Sequence, residues 1–174
     1  MQIVIDNLIK LRPYQLKDQQ ALFKNSTNLI FLKYMEYKKF SKTQFNSWLN
    51  RKIKSKDTIF FVIEYQKKAI GTYILTISGV KKQICDLSYG ISSNYFGKKI
   101  FTKITKKILE KFKRFKRFSA ITRKDNLASV KGLQKLKFKK EGILRSYYYD
   151  LKTKKYYDAL ILSYINLQKK LLNI

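Results

Sequence analysis

Hydrophobic positions change their period several times along this chain, and each change marks an element. Residues 8–12 read as a short strand that ends at Pro13, which cannot donate to a ladder. Leu16, Gln20, Leu22 and Phe23 then begin an amphipathic helical face. Ser41 followed three residues later by Gln44 has the form of a capping box, predicting a helix whose Phe45, Trp48 and Leu49 share one side. From Thr58 the period becomes that of a strand: residues 59–65 and 69–77 are β-branched and aromatic runs joined by Gln66-Lys67-Lys68, a hairpin pattern, and residues 83–91 form a further strand.

The most regular segment is 99–116. There Phe101, Ile104, Ile108, Leu109, Phe112 and Phe115 make an apolar stripe opposite a face of lysine and arginine. A strand at 118–122, a helix at 126–136 and two strands at 138–149 and 155–165 around the turn 150–154 complete the chain. The order is strand, two helices, three strands, helix, strand, helix, two strands. It predicts an α/β (α+β) fold with one mixed, mostly antiparallel sheet flanked by about four helices.

With 174 residues, 45% of them hydrophobic, the chain has the length of one domain, residues 1–174. No Pro/Gly/Ser-rich linker divides it. Cys85 is the only cysteine and histidine is absent, which excludes a disulfide framework, Cys/His metal spacing and a Ser/His/Asp triad; no metal is expected, and a reducing cytoplasm fits. The first residues alternate Ile3, Val4 and Ile5 with Gln2, Asp6 and Asn7, a pattern of neither a signal peptide nor a membrane span.

The formal charge of +28 changes the picture less than its size suggests. Lys, Ile, Asn, Phe and Tyr are abundant while Gly, Ala and Pro are scarce, the bias of an AT-rich coding sequence, and the basic residues are spread along the chain. They leave open a phosphate-bearing ligand, an anionic acceptor, or nucleic acid or a ribonucleoprotein.

Several segments in order carry a family likeness. Leu11-Arg12-Pro13 with Leu16-Lys17-Asp18, Phe61-Val62-Ile63-Glu64 with Ala69-Ile70-Gly71-Thr72, Asp125-Asn126-Leu127-Ala128-Ser129, Leu136-Lys137-Phe138, Glu141-Gly142-Ile143-Leu144-Arg145, and Tyr157-Asp158 through Ser163-Tyr164 together span most of the chain. They resemble the GNAT N-acetyltransferases, particularly the branch containing the ribosomal-protein Nα-acetyltransferases, with its DNxAS…LGF…EGxLR signature.

That resemblance implies a sheet splayed into a V between the strands ending near Ile91 and Thr122, with acetyl-CoA lying in the gap as cosubstrate. Phe96, Gly97, Lys98, Lys99, Ile100, Phe101 and Thr102 would then bring a helix N-terminus to the pyrophosphate, where main-chain N–H groups bind phosphate without any particular side chain. The sequence departs from the family loop R/Q-x-x-G-x-G/A at Phe96, Lys99 and Phe101, and Lys137 stands where LGF has glycine.

Acetyl transfer to an amine needs a base, a held oxyanion and a proton for the departing thiolate. By the resemblance, Asp86 is the candidate base, the Ile91 amide the oxyanion donor, Ser129 the proton donor near the sulfur and Asn126 a partner of the pantetheine arm. Tyr148 occupies about the place of a catalytic glutamate in the branch. Each has a plainer reading: a strand carboxylate among lysines for Asp86, a ladder bond for Ile91, helix capping for Asn126 or Ser129 and strand packing for Tyr148. An N-acetyltransferase working by direct attack on acetyl-CoA in a ternary complex is the leading expectation. Its acceptor would be a protein N-terminus, a nucleotide-linked amino sugar or a small amine. A GNAT-shaped module docking on RNA or a ribonucleoprotein is the other.

Overall fold

The computed structural model describes residues 1–28, 32–34, 39–150 and 152–167. Its elements in chain order are β1 (Ile3–Val4), β2 (Ile9–Arg12), a 3-10 turn (Leu16–Asp18), α1 (Gln19–Ser26), α2 (Lys42–Lys54), β3 (Thr58–Tyr65), β4 (Lys68–Ser78), β5 (Ile84–Ile91), a second 3-10 turn (Ser93–Tyr95), α3 (Ile100–Lys111), β6 (Arg117–Arg123), α4 (Leu127–Lys135), β7 (Lys139–Asp150) and β8 (Lys155–Ile165).

The eight strands form one sheet in the order β1-β2-β3-β4-β5-β6-β8-β7, antiparallel throughout except between β5 and β6. That parallel pair needs a crossover, and α3 supplies it. Helices α3 and α4 cover one face, where Ile104, Ile108, Phe115 and Leu133 pack on Leu75, Cys85, Phe118 and Leu162. On the other face Leu22 of α1 and Phe45 and Leu49 of α2 pack around Val62. No helix among the described residues is long and apolar enough to cross a membrane.

Local chemistry accounts for most boundaries. Ser41 Oγ accepts the Gln44 N–H at 3.2 Å and Gln44 Oε1 accepts the Ser41 N–H at 2.9 Å, the reciprocal box the spacing predicts. Gln66 and Lys67 turn β3 into β4 with φ of 48° and 63°, the left-handed pair that a tight hairpin requires even without glycine. The strand β1 escapes a reading by periodicity because it is two residues long; it pairs with Lys10 and Leu11 after a turn in which Asp6 accepts the Leu8 and Ile9 amides. Leu16, expected on a buried helical face, is instead exposed in the 3-10 turn. The long cationic helix stops at Lys111, four residues before the apolar stripe does. Phe112 and Phe115 stay buried while the chain turns to start β6, with the Lys116 N–H on the Gln83 carbonyl.

Three residues of the family-like segments close a buried ion network. Arg12 holds Asp18 with two bonds of 2.7 Å and donates its Nε–H to Glu64, which also meets Lys10 at 2.9 Å. Burial opposes ionisation of both carboxyls, but the Arg12 guanidinium outweighs it and their pKa values are lowered. The network ties the 3-10 turn before α1 to β2 and β3.

Gly71 on β4 allows the close approach of β5: a Cβ there would stand 2.0 Å from the Gly90 carbonyl oxygen. Gly71→Ala is therefore expected to cost about 2 kcal/mol through backbone displacement, lowering the melting temperature by about 4–8 °C in a thermal unfolding scan. An unchanged melting temperature would contradict this packing.

Candidate active site

The ladder between β5 and β6 has three pairs, Ile84–Arg117, Cys85–Phe118 and Asp86–Ser119. Beyond Asp86 the strands separate, although β5 stays paired with β4 as far as Ile91 and β6 with β8 as far as Arg123. The V is thus a gap in hydrogen bonding. It opens into a cleft of about 1130 Å³ reaching α3 and α4.

Alternation along β5 assigns its side chains to opposite faces. Cys85, Leu87, Tyr89 and Ile91 face α3, whereas Ser88 and Gly90, and with them Asp86, face α1 and α2. Main-chain groups alternate as well. The Ser92 N–H bonds the Ile70 carbonyl at 2.8 Å, so the Ile91 N–H, one residue back, points into the V.

At the start of α3, among the described residues, no main-chain carbonyl meets the N–H of Gly97, Lys98, Lys99, Ile100, Phe101 or Thr102. Six consecutive amides left open at the positive end of a helix are chemically suited to an anion. The bulky residues of this loop do not plug it. Phe96 stands at the rim of the cleft and is 50% exposed. Phe101 stacks on Tyr89 with ring centroids 3.8 Å apart, beside Gly132 of α4. Lys98 places its Nζ over the rings of Tyr65 and Tyr95, 5.2 and 5.7 Å from their centroids, so its ammonium is turned from the cleft while its amide remains open.

Lys99, standing where the family pattern has glycine, has φ of 57°, the left-handed conformation glycine takes at no cost. Lys137, at the other replaced glycine, has φ of 66°. Both lysines thus hold a conformation that glycine favours. Lys99→Gly with Lys137→Gly is accordingly expected to stabilise the fold by about 1 kcal/mol in total, raising the melting temperature by about 2–4 °C. A lowered melting temperature would show that the lysine side chains contribute more than the strain removes.

The expected chemical residues gather around the cleft. Asp86, the last residue of β5 that pairs with β6, stands at the apex of the V; burial raises its pKa above the ordinary aspartate value, against the opposing effects of Ser119, Arg117 and Ser78. Ser129 is 4% exposed and lines the cleft. Its N–H bonds Asn126 Oδ1 at 3.3 Å, so Asn126 caps α4, and its Oγ accepts a 2.8 Å bond from the Tyr89 hydroxyl. Tyr148 is buried at the cleft wall and donates to the Ile121 carbonyl at 3.3 Å. It follows a bulge in β7 where Ser146 has φ of 51° and its N–H bonds Asp158. Among the described residues no group of three or more Cys, Asp or Glu could hold a metal ion.

Two features have no sequence signal. Tyr89 reaches Ser129 only because the V brings β5 and α4 together. Arg123, 1% exposed, organises the far wall: it grips Asp125 through two bonds of 2.8 and 2.6 Å, donates to Asp150 and to the Lys33 carbonyl at 2.8 Å each, and lies 3.7 Å from the Tyr157 ring centroid. It thereby fixes the residue that precedes the Asn126 cap.

Residues 9–139 match the family model described as an acetyltransferase (GNAT) domain. The chain belongs to the GNAT acetyltransferase family. Among solved structures, RimL, a ribosomal L7/L12 α-N-protein acetyltransferase in complex with coenzyme A, is similar over 95% of this chain and 98% of its own, with TM-score 0.84 and 16% identity. The microcin C7 self-immunity acetyltransferase MccE, in complex with acetyl-CoA and AMP, is similar over 92% and 94%, with TM-score 0.80 and 22% identity. Spermidine N-acetyltransferase from Vibrio cholerae, in complex with CoA and spermine, is similar over 92% and 97%, with TM-score 0.81 and 17% identity. No curated protein sequence matches.

Proposed function

We propose that this GNAT protein is an N-acetyltransferase that moves an acetyl group from acetyl-CoA to a primary amine by direct attack in a ternary complex. The observation that carries this reading is the open row of amides from Gly97 to Thr102, with Phe101 stacked on Tyr89 and Phe96 half-exposed at the rim. Those amides would hold the pyrophosphate, and Ile91 on the open edge of β5 would hold the thioester carbonyl and donate to the oxyanion. Asn126 and Ser129 line the wall along which the pantetheine arm would run.

The two faces of β5 divide the substrates. The α3 face offers the phosphate site, so the donor enters there. Asp86 looks to the α1 and α2 face, so the amine enters from that side and gives its proton to Asp86, directly or through water. The amine nitrogen bonds the carbonyl carbon and the C–S bond breaks with its electron pair on sulfur; Ser129 protonates the sulfur and regains a proton from solvent, to which Asp86 releases its own. Tyr148 borders the acceptor space.

The cleft carries Lys33, Lys52, Lys99, Lys131 and Lys135 against Asp86 and Asp125, and Asp125 is already paired with Arg123. This balance favours an acceptor that is neutral or anionic around its amine, such as a protein N-terminus or an amine on a nucleotide, and disfavours a polyamine. Calorimetric titration with acetyl-CoA is expected to give micromolar affinity. Thiol release is expected to be faster with a serine-terminated acidic peptide or a nucleotide-linked amine than with spermidine. Absence of acetyl-CoA binding would overturn the reading; preference for spermidine would overturn the acceptor class.

A further inference from the structure

Resting on the acetyl-transfer reading, we propose that Tyr89 is a positioning residue, which orients the Ser129 hydroxyl so that its hydrogen is directed at the sulfur of the departing thiol. The Tyr89 phenol donates to Ser129 Oγ at 2.8 Å. A serine oxygen that accepts along one direction has its own hydrogen turned to another. Among the described residues no acceptor meets that hydrogen, and Ser129 lines the cleft. The Asn126 cap fixes the serine main chain, so what remains free in Ser129 is the rotation that Tyr89 settles.

The phenol is itself held rigidly. Its ring is the middle of a stack of three, with Phe101 at 3.8 Å and 14° and Tyr73 at 6.2 Å and 21°. Tyr73 is anchored by a 2.9 Å bond to Thr105, and Gly132 leaves room for Phe101, since a Cβ there would come within 3.3 Å of that ring. Phe101 is one of the residues that depart from the family loop. Its bulk is therefore accounted for: it forms one wall of the slot that aims Tyr89 at Ser129. Burial pushes the Tyr89 phenol up to about 12, so it remains a donor throughout the neutral range and does not take the serine proton.

During transfer the C–S bond breaks with its electrons on sulfur and Ser129 supplies the proton. Tyr89 keeps its own proton and strengthens its bond to the serine oxygen as charge grows there.

The test uses coenzyme A itself and needs no acceptor. The thiolate of bound CoA is followed by its ultraviolet absorbance during a pH titration of the complex. In the wild type the bound thiol is expected to ionise below free CoA, because a directed hydroxyl stabilises the thiolate. Tyr89→Phe keeps the ring and the stack, and is expected to raise the bound thiol pKa by on the order of one unit with CoA affinity within about threefold. Ser129→Ala is expected to raise it equally, and the double variant no further, since one residue acts through the other. Phe101→Leu, which keeps the phenol but removes its wall, is expected to shift it in the same direction by less. Equal thiol pKa values in wild type and Tyr89→Phe, or additive shifts in the double variant, would overturn the proposal while leaving the acetyl-transfer reading intact. Failure of the wild type to bind CoA would overturn both.

Discussion

Arg123→Met is expected to lower the melting temperature by about 6–20 °C, the consequence of removing one partner from a buried ion network at about 3–5 kcal/mol. The methionine fills the space of the guanidinium stem and leaves Asp150, 5% exposed, without its cation. The pH dependence separates this cause from simple misfit. Bonding to Arg123 holds the Asp150 carboxyl at about 2, below its ordinary value, with burial opposing and the Thr153 and Lys152 amides helping. A carboxyl whose folded pKa is depressed contributes stability that is complete above its unfolded pKa and is lost as the pH falls through the folded one. The difference in stability between wild type and variant should therefore be largest near neutrality and shrink as the pH falls from about 4 towards 2. Denaturant unfolding at several pH values measures it; a difference that stays constant over that range would remove the ion network as the cause.

Asp86→Asn is expected to reduce kcat about 10²- to 10³-fold with little change in the KM for acetyl-CoA. The amide keeps the shape at the apex of the V but cannot accept a proton. Because burial raises the Asp86 pKa, the acid limb of the wild-type rate profile should lie above the ordinary aspartate range, with activity rising as the carboxyl ionises. In the variant that limb should vanish and leave only ionisation of the acceptor amine. A kcat within threefold of wild type would show that Asp86 is a strand carboxylate and that the amine loses its proton elsewhere.

Most of the sheet was legible because its strands are long and β-branched, and the capping box at Ser41 and Gln44 announced α2 by its own chemistry. The end of α3 was not, since Phe112 and Phe115 continue a helical stripe while serving a turn. The site divides in the same way. Segments contiguous in sequence, such as the run ending in Asn126 and Ser129, declare themselves. Contacts made by convergence do not: nothing near Tyr89 in the chain indicates α4, and nothing near Arg123 indicates Asp150. The altered loop shows the limit of reading residues for geometry. Lys99 and Lys137 look like lost turns, yet both hold the left-handed backbone that glycine favours, so this local conformation does not depend on the residue type that favours it.

The seam between β5 and β6 is three residue pairs long, so the ladder joins the sheet's two panels only as far as Asp86. A molecule bonded to the open edge of one panel and to α4 on the other acts as a splint across the joint. Deuterium uptake on loading with coenzyme should then slow in β4 and β8, which lie behind the contacting strands, as well as in the strands that form the gap.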